Sequence, residues 1–235
     1  MIYFFKRKIS PGFKVNKKDL VIDIGSGDKP FWRGDVFFDD LGQSDNQRIS
    51  ASKVINDLGV FVNGVIEKAP FKDKAFDFSF CAHLLEHTER PELAIKELER
   101  ISKKGYIEVP NGLHESIAPY RSHLWFIYLS GKKLVFVRKS KKMSDTLINN
   151  GKSYRYLLYL MIDPFIRLHW KNNIEYEIID DLKKLEKFYP KNEKHIKSFS
   201  NTQGIYLVII KILRKLFYQE KDHANLMKLI RPQQK

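Results

Sequence analysis

Cysteine is almost absent from this sequence, in which Cys81 is the only one. A single thiol excludes an internal disulfide framework and any zinc site built from several thiolates. No apolar run approaches the roughly 18 residues that a membrane span requires. The opening apolar residues precede Lys6-Arg7-Lys8, whereas a secretory signal carries its positive charges first. We therefore expect a soluble protein of the reducing cytoplasm.

Acidic residues are scarce in the second half of the chain. Residues 1–110 carry 18 Lys and Arg against 17 Asp and Glu, and residues 111–235 carry 24 against 11. Almost all of the net charge of +14 thus lies in the second half. A basic surface attracts nucleic acid, anionic lipid or a phosphorylated substrate, and an ordinary lysine-rich, solvated surface gives the same count. Charge alone leaves these alternatives open.

The first half alternates short β-rich runs with helical spacing. Residues 20–24 form an apolar run that stops at Gly25-Ser26-Gly27, which predicts a buried strand leading into a tight turn. A helix is predicted to begin at Pro91, because Pro suits the first helical position and apolar residues recur behind it at helical spacing. Four further strands are predicted at 36–38, 60–62, 76–81 and 106–109. This alternation is typical of a parallel α/β sheet.

The second half is less regular. Residues 124–129 and 134–137, separated by Ser130-Gly131, predict an aromatic-rich hairpin, and 174–179 alternates like a strand. Residues 205–213 are ambiguous between strand and helix. Because no internal repeat or low-complexity linker interrupts the chain, we expect a single domain.

Two glycines follow the first predicted strand at a spacing that matters for ligand binding. The pattern Asp23-x-Gly25-x-Gly27 lets the backbone approach a nucleotide closely, because a side chain there would block it. A third glycine at the dinucleotide spacing is missing, and nothing resembles a phosphate-cradling Gly-Lys-Ser/Thr. These absences disfavour NAD and ATP as ligands.

A second pattern follows in the correct order. It comprises Ala69-Pro70-Phe71-Lys72-Asp73-Lys74-Ala75-Phe76-Asp77, the strand through Cys81, and then His83-Leu84-Leu85-Glu86-His87. Together with the glycine turn, these residues resemble the class I S-adenosylmethionine-dependent methyltransferases, specifically the type 11 group. The resemblance covers roughly residues 20–111.

The resemblance implies an α/β fold: a Rossmann-like class I methyltransferase sheet of seven strands in three layers, with S-adenosyl-L-methionine at the carboxyl ends of strands one to four. It implies that residues 1–111 form the cofactor-binding half, and that residues 112–235 complete the sheet and add a basic, aromatic C-terminal lid that binds the acceptor. The cofactor-binding residues that it implies are Asp23, Gly25, Gly27, Asp28, Asp39, Ile66, Glu67 and Ala82. Among them, Asp39 would accept hydrogen bonds from the ribose, and Ile66 and Glu67 would flank the adenine.

Three departures from the family pattern bear on cofactor binding. Eight residues separate Gly27 from Val36, fewer than the dozen or so that a helical crossover needs, so the first helix is expected to shrink to about a turn. Val65 stands where the family has an Asp that contacts the adenine amine. Arg90 stands where an Asp or Asn would cap the helix, a loss of about 1 kcal/mol at most.

Methyl transfer to a hydroxyl needs alignment, exclusion of water and a general base. His83 is the first candidate base by position, and His123 is the second, with His114 behind it. We expect O-methylation of a small molecule or sugar, because a single domain without a recognition motif does not favour nucleic acid. Aromatic residues of the second half could floor an acceptor pocket or fill the core: Tyr120, Trp125, Phe126 and Tyr128.

The segment His83-x-x-Glu86-His87 also spells an inverted zinc-protease motif. On a helix, the two histidines would share a face and could reach one metal ion. The segment follows a predicted strand, however, and no downstream acid is marked as a third ligand. The sequence therefore predicts no bound metal.

Two alternatives remain beside the small-molecule enzyme. The first is an RNA methyltransferase, which the basic second half favours. The second is a catalytically inactive scaffold that docks on an anionic membrane or a partner through residues 205–217, since basic amphipathic segments bind such surfaces. The sequence gives no oligomeric state.

Overall fold

The computed structural model of the protein describes residues 15–42, 57–117, 119–140, 163–179, 211, 214 and 223–230. The strands in this part of the chain are β1 Val21–Ile24, β2 Val36–Asp39, β3 Val60–Asn63, β4 Phe78–Ala82, β5 Lys104–Pro110, β6 Trp125–Ser130, β7 Lys133–Arg138, β8 Phe165–Lys171 and β9 Tyr176–Ile179. The helices are α1 Pro91–Ile101, α2 Gly112–Ile117 and α3 His223–Met227, with a 3₁₀ turn at Ile66–Lys68.

Six strands form the main sheet in the order β3-β2-β1-β4-β5-β8. The first five are parallel, and β8 runs antiparallel to β5. β1 is central and fully buried, which explains its apolar run: in a parallel sheet both faces of an inner strand are covered. The carboxyl ends of β1, β2 and β3 therefore meet at one edge, with the order reversal between β1 and β4.

The sequence predictions for these strands are confirmed, with small differences in length. β1, β2, β3, β4 and β5 all overlap the predicted runs, and the second-half hairpin is present as β6 and β7. β9 occupies the end of the predicted 174–179 strand and pairs in parallel with β7, so that a second sheet of order β6-β7-β9 stands beside the main one. The fold is a mixed α/β fold with a parallel central sheet, as expected, but in the described residues this sheet has six strands and not the seven that the resemblance implied.

No helix connects β1 to β2, and Phe31 occupies the space instead. Its ring is 1% exposed and stacks on Phe80 of β4 at 4.3 Å between centroids. The backbone N–H of Phe31 donates to Asp23 Oδ2 at 2.6 Å, and Gly34 N donates to Phe31 O at 3.0 Å. The short connection expected from the spacing is thus achieved by burying one aromatic ring and fixing its backbone from the sheet.

α1 covers the opposite face of the sheet. Its buried side consists of Pro91, Ala94, Ile95, Leu98 and Ile101, so the apolar spacing of the sequence becomes one buried stripe. Arg90 makes no side-chain capping bond at its start, as predicted. Near its end, the Arg100 guanidinium donates to Phe71 O and Ala69 O, which holds the 69–71 segment against the helix.

The segment 205–217 of the scaffold hypothesis lies outside the described residues except for Lys211 and Arg214. Arg214 donates to the carbonyl oxygens of Trp32 and Gly34 and lies 5.5 Å from the centre of the Phe37 ring. At this position the basic side chain packs on the domain. Within the described ranges, no helix is long and apolar enough to cross a membrane.

Candidate active site

A cavity of about 230 Å³ opens at the carboxyl ends of β1 and β2, beside the 3₁₀ turn. Loops that follow β3 and β4 complete its wall. The residues that line it are Ile24, Gly25, Phe38, Asp39, Asp40, Gly64, Val65, Ile66, Glu67, Leu84, His87, Thr88, Glu89 and Leu124. This is the edge of a parallel sheet at which ligands bind in open α/β folds.

The glycine turn contributes Gly25 to the wall of this cavity. Gly25 has φ +70° and Gly27 has φ +56°, the left-handed region that glycine adopts without steric cost. Gly25 N and Ser26 N both face Phe38 O, at 2.8 and 3.4 Å. These bonds hold the turn to the end of β2. Gly27, the second glycine, donates a backbone hydrogen bond to the side chain of Asp39.

Asp39 ends β2 and lies where the sequence placed it. Its Oδ2 accepts a hydrogen bond from Gly27 N at 2.5 Å, and its Oδ1 accepts one from Asp40 N at 2.7 Å. A carboxylate offers about four acceptor positions, so this anchoring orients the group without exhausting what a carboxylate can accept. Asp40 lines the cavity as well.

The 3₁₀ turn supplies the side of the cavity predicted for the adenine. Ile66 is buried and Glu67 half-buried, and both line the cavity. Val65 precedes them and is 42% exposed. Its apolar side chain offers no acceptor at the position where the family pattern has an aspartate.

Four predicted cofactor residues are not part of the cavity wall, and one of them is Gly27. Asp23 is fully buried and bonds the backbone of Phe31, so its visible task is to fix the β1–β2 connection. Asp28 lies 2.9 Å from Lys29 Nζ. Ala82 is buried at the end of β4, on the sheet face that carries Phe31. Their predicted contacts with the cofactor stay predictions.

His83, the first candidate base, is held between two buried carboxylates. Its Nδ1 lies 3.2 Å from Glu86 Oε1 and its Nε2 lies 3.1 Å from Glu108 Oε1. Burial alone would lower the pKa of His83, but the hydrogen bonds and charges of Glu108 and Glu86 outweigh it and raise the pKa. The two carboxylates thus stabilise the protonated form of His83, and His83 does not line the cavity.

His87 is the imidazole that the described cavity wall contains. Its Nδ1 lies 3.0 Å from Ser122 O, so this nitrogen carries the hydrogen and Nε2 keeps its lone pair. Burial, only partly offset by the charge of Glu86, lowers the pKa of His87. A neutral imidazole with a fixed tautomer therefore faces the cavity. The sequence marked His87 only as part of the pattern His83-x-x-Glu86-His87, which does not predict that this imidazole lines the cavity.

His123 lies next to His87, with ring centroids 4.8 Å apart and planes at 84°. Two long-range hydrogen bonds explain the proximity: Leu124 N donates to Glu86 O at 2.7 Å, and Trp125 Nε1 donates to Thr88 O at 2.8 Å. The segment that precedes β6 is thereby tied to the loop that follows β4. The second predicted catalytic histidine is thus brought to the site, behind the cavity wall.

Glu115 of α2 supports His123 from the other side. Glu115 Oε1 lies 3.1 Å from His123 Nδ1, contacts Lys139 Nζ and accepts a hydrogen bond from Tyr120 N at 2.8 Å. His123 Nδ1 does not form a hydrogen bond with Glu115 Oε1, so the contact between the two groups is electrostatic. Burial would raise the pKa of Glu115, but the charges and contacts of His123 and Lys139 lower it. His123 therefore faces an ionised carboxylate.

The aromatic residues suggested as an acceptor floor are mostly core residues. Trp125 is 4% exposed and Phe126 is 1% exposed. Arg138 and Lys139 each lie 4.8 Å from one of these two rings. The buried rings of β6 thus stabilise the small sheet, and neither ring lines the cavity.

Strand order, glycine turn and an acidic residue at the end of β2 define the class as a Rossmann-like α/β domain with a ligand site at its switch point. Residues 40–107 match the sequence profile of a family described as "Methyltransferase domain". The match covers less than a third of the chain and agrees with the resemblance predicted from the motifs. No protein of curated function shows significant similarity to the chain.

Solved structures with a similar fold include an S-adenosylmethionine-dependent methyltransferase of Thermotoga maritima, at 20% identity and a TM-score of 0.38 over 47% of this chain and 52% of that one. The YcgJ protein of Bacillus subtilis is similar at 19% identity and a TM-score of 0.34, over 52% of this chain and 58% of that one. The match thus spans little more than half the length of these structures. Likenesses this distant carry no functional argument.

The cavity wall fits a cationic cofactor better than a phosphorylated one. Four acidic residues line it, namely Asp39, Asp40, Glu67 and Glu89, and no Lys or Arg is among the described lining residues. Carboxylates attract a sulfonium and repel phosphates. The volume is below the about 300–1,000 Å³ typical of small-molecule pockets, which suits part of the cofactor. Leu84 is the side chain that closes the remaining space above Gly25.

Proposed function

We propose that the protein is an S-adenosylmethionine-dependent methyltransferase that methylates a hydroxyl group of a small molecule or sugar. The observation that carries the proposal is the acidic cavity at the carboxyl ends of β1 and β2, whose described wall holds no Lys or Arg. The family match over residues 40–107 supports the reaction class. The acceptor is inferred from the chemistry available beside the cavity.

The chain supplies binding, orientation and proton handling. Asp39, fixed by two backbone N–H groups, would accept the ribose hydroxyls, and Ile66 would pack on the adenine. When bound, S-adenosylmethionine supplies an electrophilic methyl group. The acceptor oxygen loses its proton and forms a bond to the methyl carbon, while the carbon–sulfur bond breaks and its electrons remain on sulfur.

We assign to His87 and His123 the role of accepting the proton that the acceptor hydroxyl loses. Glu86 and Glu108 hold both ring nitrogens of His83 and raise its pKa, so His83 suits a positioning role. His87 has a lowered pKa, a fixed tautomer and a place in the cavity wall. A neutral acceptor hydroxyl is favoured over a polynucleotide, because the acidic wall would repel phosphates at the point of transfer.

Transfer of a radiolabelled methyl group tests this proposal. The full chain is incubated with methyl-tritiated S-adenosylmethionine and separate pools of sugars, phenols, amines and total RNA, with S-adenosylhomocysteine release as a second readout. We expect label in a hydroxyl-bearing pool and at least about a tenfold loss of turnover in His87→Ala. Label confined to RNA or to amines would contradict the acceptor, and no label with any pool would contradict the reaction.

A further inference from the structure

A compact group of metal-ligating side chains lies at the back of the cavity. Glu86, His87 and His123 each offer one ligand atom, and these three atoms lie within 4.8 Å of one another. We propose that this group binds a single divalent transition-metal ion, with Zn²⁺ as the best match. The sequence pattern had raised His83 and His87 as a metal pair, but the structure turns His83 toward Glu86 and Glu108 and places His123 beside His87 instead.

The donor set suits such an ion. Two imidazoles and one carboxylate are the ligands found in catalytic zinc sites and in non-haem iron sites, which keep other positions open for water or substrate. Mg²⁺ and Ca²⁺ prefer oxygen ligands. Ligand atoms on a tetrahedral ion with bonds of about 2.1 Å lie about 3.4 Å apart. The ligand atoms, which lie within 4.8 Å of one another, are thus already close to the spacing that a bound ion requires.

A buried carboxylate oxygen without a hydrogen-bond partner supports a cation site in this group of side chains. Glu86 is 0% exposed, and its Oε1 is held by His83 Nδ1. Its Oε2 is buried and has no hydrogen-bond partner among the described residues. Leaving a charged oxygen buried and unsatisfied is costly, and buried charges are ordinarily paired or coordinate a metal. A cation bound between Glu86 and the two histidines would satisfy this oxygen.

The ligands are also oriented from behind, as metal ligands are. His87 Nδ1 donates to Ser122 O, which leaves Nε2 as the ligating nitrogen. His123 Nδ1 lies against Glu115 Oε1, which Lys139 and Tyr120 N hold in place. A histidine ligand whose other nitrogen meets a carbonyl or a carboxylate is typical of protein metal sites. The second sphere is thus present in the fold.

The position of the site suggests what the ion would do. His87 belongs both to the cavity wall and to the ligand group, so an ion held there would stand at the edge of the cavity. The ion would lower the pKa of an acceptor hydroxyl bound to it. The ion would then activate the acceptor in place of a free imidazole. This role rests on the proposed function, whereas the binding of the metal does not.

Metal titration of the chelator-treated full chain tests the inference. We expect Zn²⁺ to bind with one ion per chain by calorimetry, and Co²⁺ to give a visible absorption band of four or five coordination. His123→Ala and His87→Ala should each weaken Zn²⁺ affinity at least about 100-fold, beyond the loss typical of second-sphere changes. His169→Ala is the matched control, because His169 on β8 lies outside the group.

The outcomes separate the two proposals. Absence of stoichiometric Zn²⁺ binding, or an equal loss in the His169→Ala control, would overturn the metal site. Circular dichroism identifies variants that fail to fold. If His123→Ala is unfolded, the test rests on His87→Ala, since His87 is only half-buried. S-adenosylhomocysteine binding without Zn²⁺ binding would remove the metal site alone. Zn²⁺ binding without cofactor binding would leave the metal site and remove the proposed function.

Discussion

Leu84 closes directly over Gly25. A Cβ atom added to Gly25 would lie 3.1 Å from Leu84 Cβ, and both residues line the same cavity. Gly25 also has φ +70°, a backbone conformation that side chains disfavour. Two constraints, the left-handed backbone and the close contact with Leu84, thus coincide at Gly25. Gly131 has only the first of them, so the two effects can be measured separately.

Gly25→Ala should destabilise the protein more than Gly131→Ala. Gly131 has φ +63° but no atom within 4 Å of an added Cβ, so its substitution costs only the roughly 1–2 kcal/mol of the left-handed backbone. Gly25→Ala adds the contact with Leu84, about 1–3 kcal/mol for overpacking. Urea unfolding of both variants gives the difference. Equal free energies of unfolding would mean that Leu84 moves away at no cost.

Asp39→Ala should weaken S-adenosylhomocysteine binding by about 1–3 kcal/mol, because the ribose hydroxyls lose a half-buried acceptor. Asp57→Ala, at an exposed aspartate that meets only Lys211 in the described chain, is the control and should leave the affinity unchanged. Calorimetric titration measures both. If Asp39→Ala binds normally while Asp40→Ala does not, the ribose acceptor is the next residue along the chain.

Phe31→Ala should cost about 3–5 kcal/mol of stability, as for other large-to-small changes in a core. The ring takes the place of a crossover helix, stacks on Phe80 and belongs to a buried apolar cluster, so its removal leaves a cavity there. Leu113→Ala, at a position 55% exposed, should change stability by less than about 0.5 kcal/mol. Thermal and urea unfolding would contradict this account if the two variants behaved alike.

His169 should make stability fall as the pH drops. His169 is exposed on β8, and partial desolvation lowers its pKa in the folded protein, so the unfolded chain binds its proton more tightly. The contribution is fully present above the unfolded pKa of about 6.5 and is lost as the pH falls below it. Measured from pH 7.5 to pH 5, the stability of wild type should therefore decline relative to His169→Gln. A constant difference between the two proteins would refute the assignment.

The sequence predicted the strands and the edge of the sheet at which the site lies. Buried parallel strands are apolar on both faces, so the apolar run before Gly25 predicted β1 and the turn that follows it. Asp39 lies at the end of β2, as expected. The role of Phe31 was not readable, because it depends on stacking against Phe80, 49 positions further along the chain. Tertiary contacts of this kind leave no local periodicity.

The pairing of His87 with His123 was also beyond the sequence. It depends on Leu124 N and the Trp125 indole reaching the carbonyls of Glu86 and Thr88. Neither backbone carbonyl has a residue signature. Likewise, the pattern around His83 suggested a base, whereas only its two carboxylate neighbours, Glu86 and Glu108, show that its protonated form is stabilised.

Hydrogen exchange with and without S-adenosylhomocysteine tests the central claim most directly, since it reports both binding and its place. The account predicts saturable protection of the amides in three segments that surround the cavity, namely 24–28, 39–40 and 64–67. It predicts little change in β6 and β7, whose buried rings lie outside the cavity wall. Absence of any protection at saturating ligand, or protection confined to other segments, would contradict it.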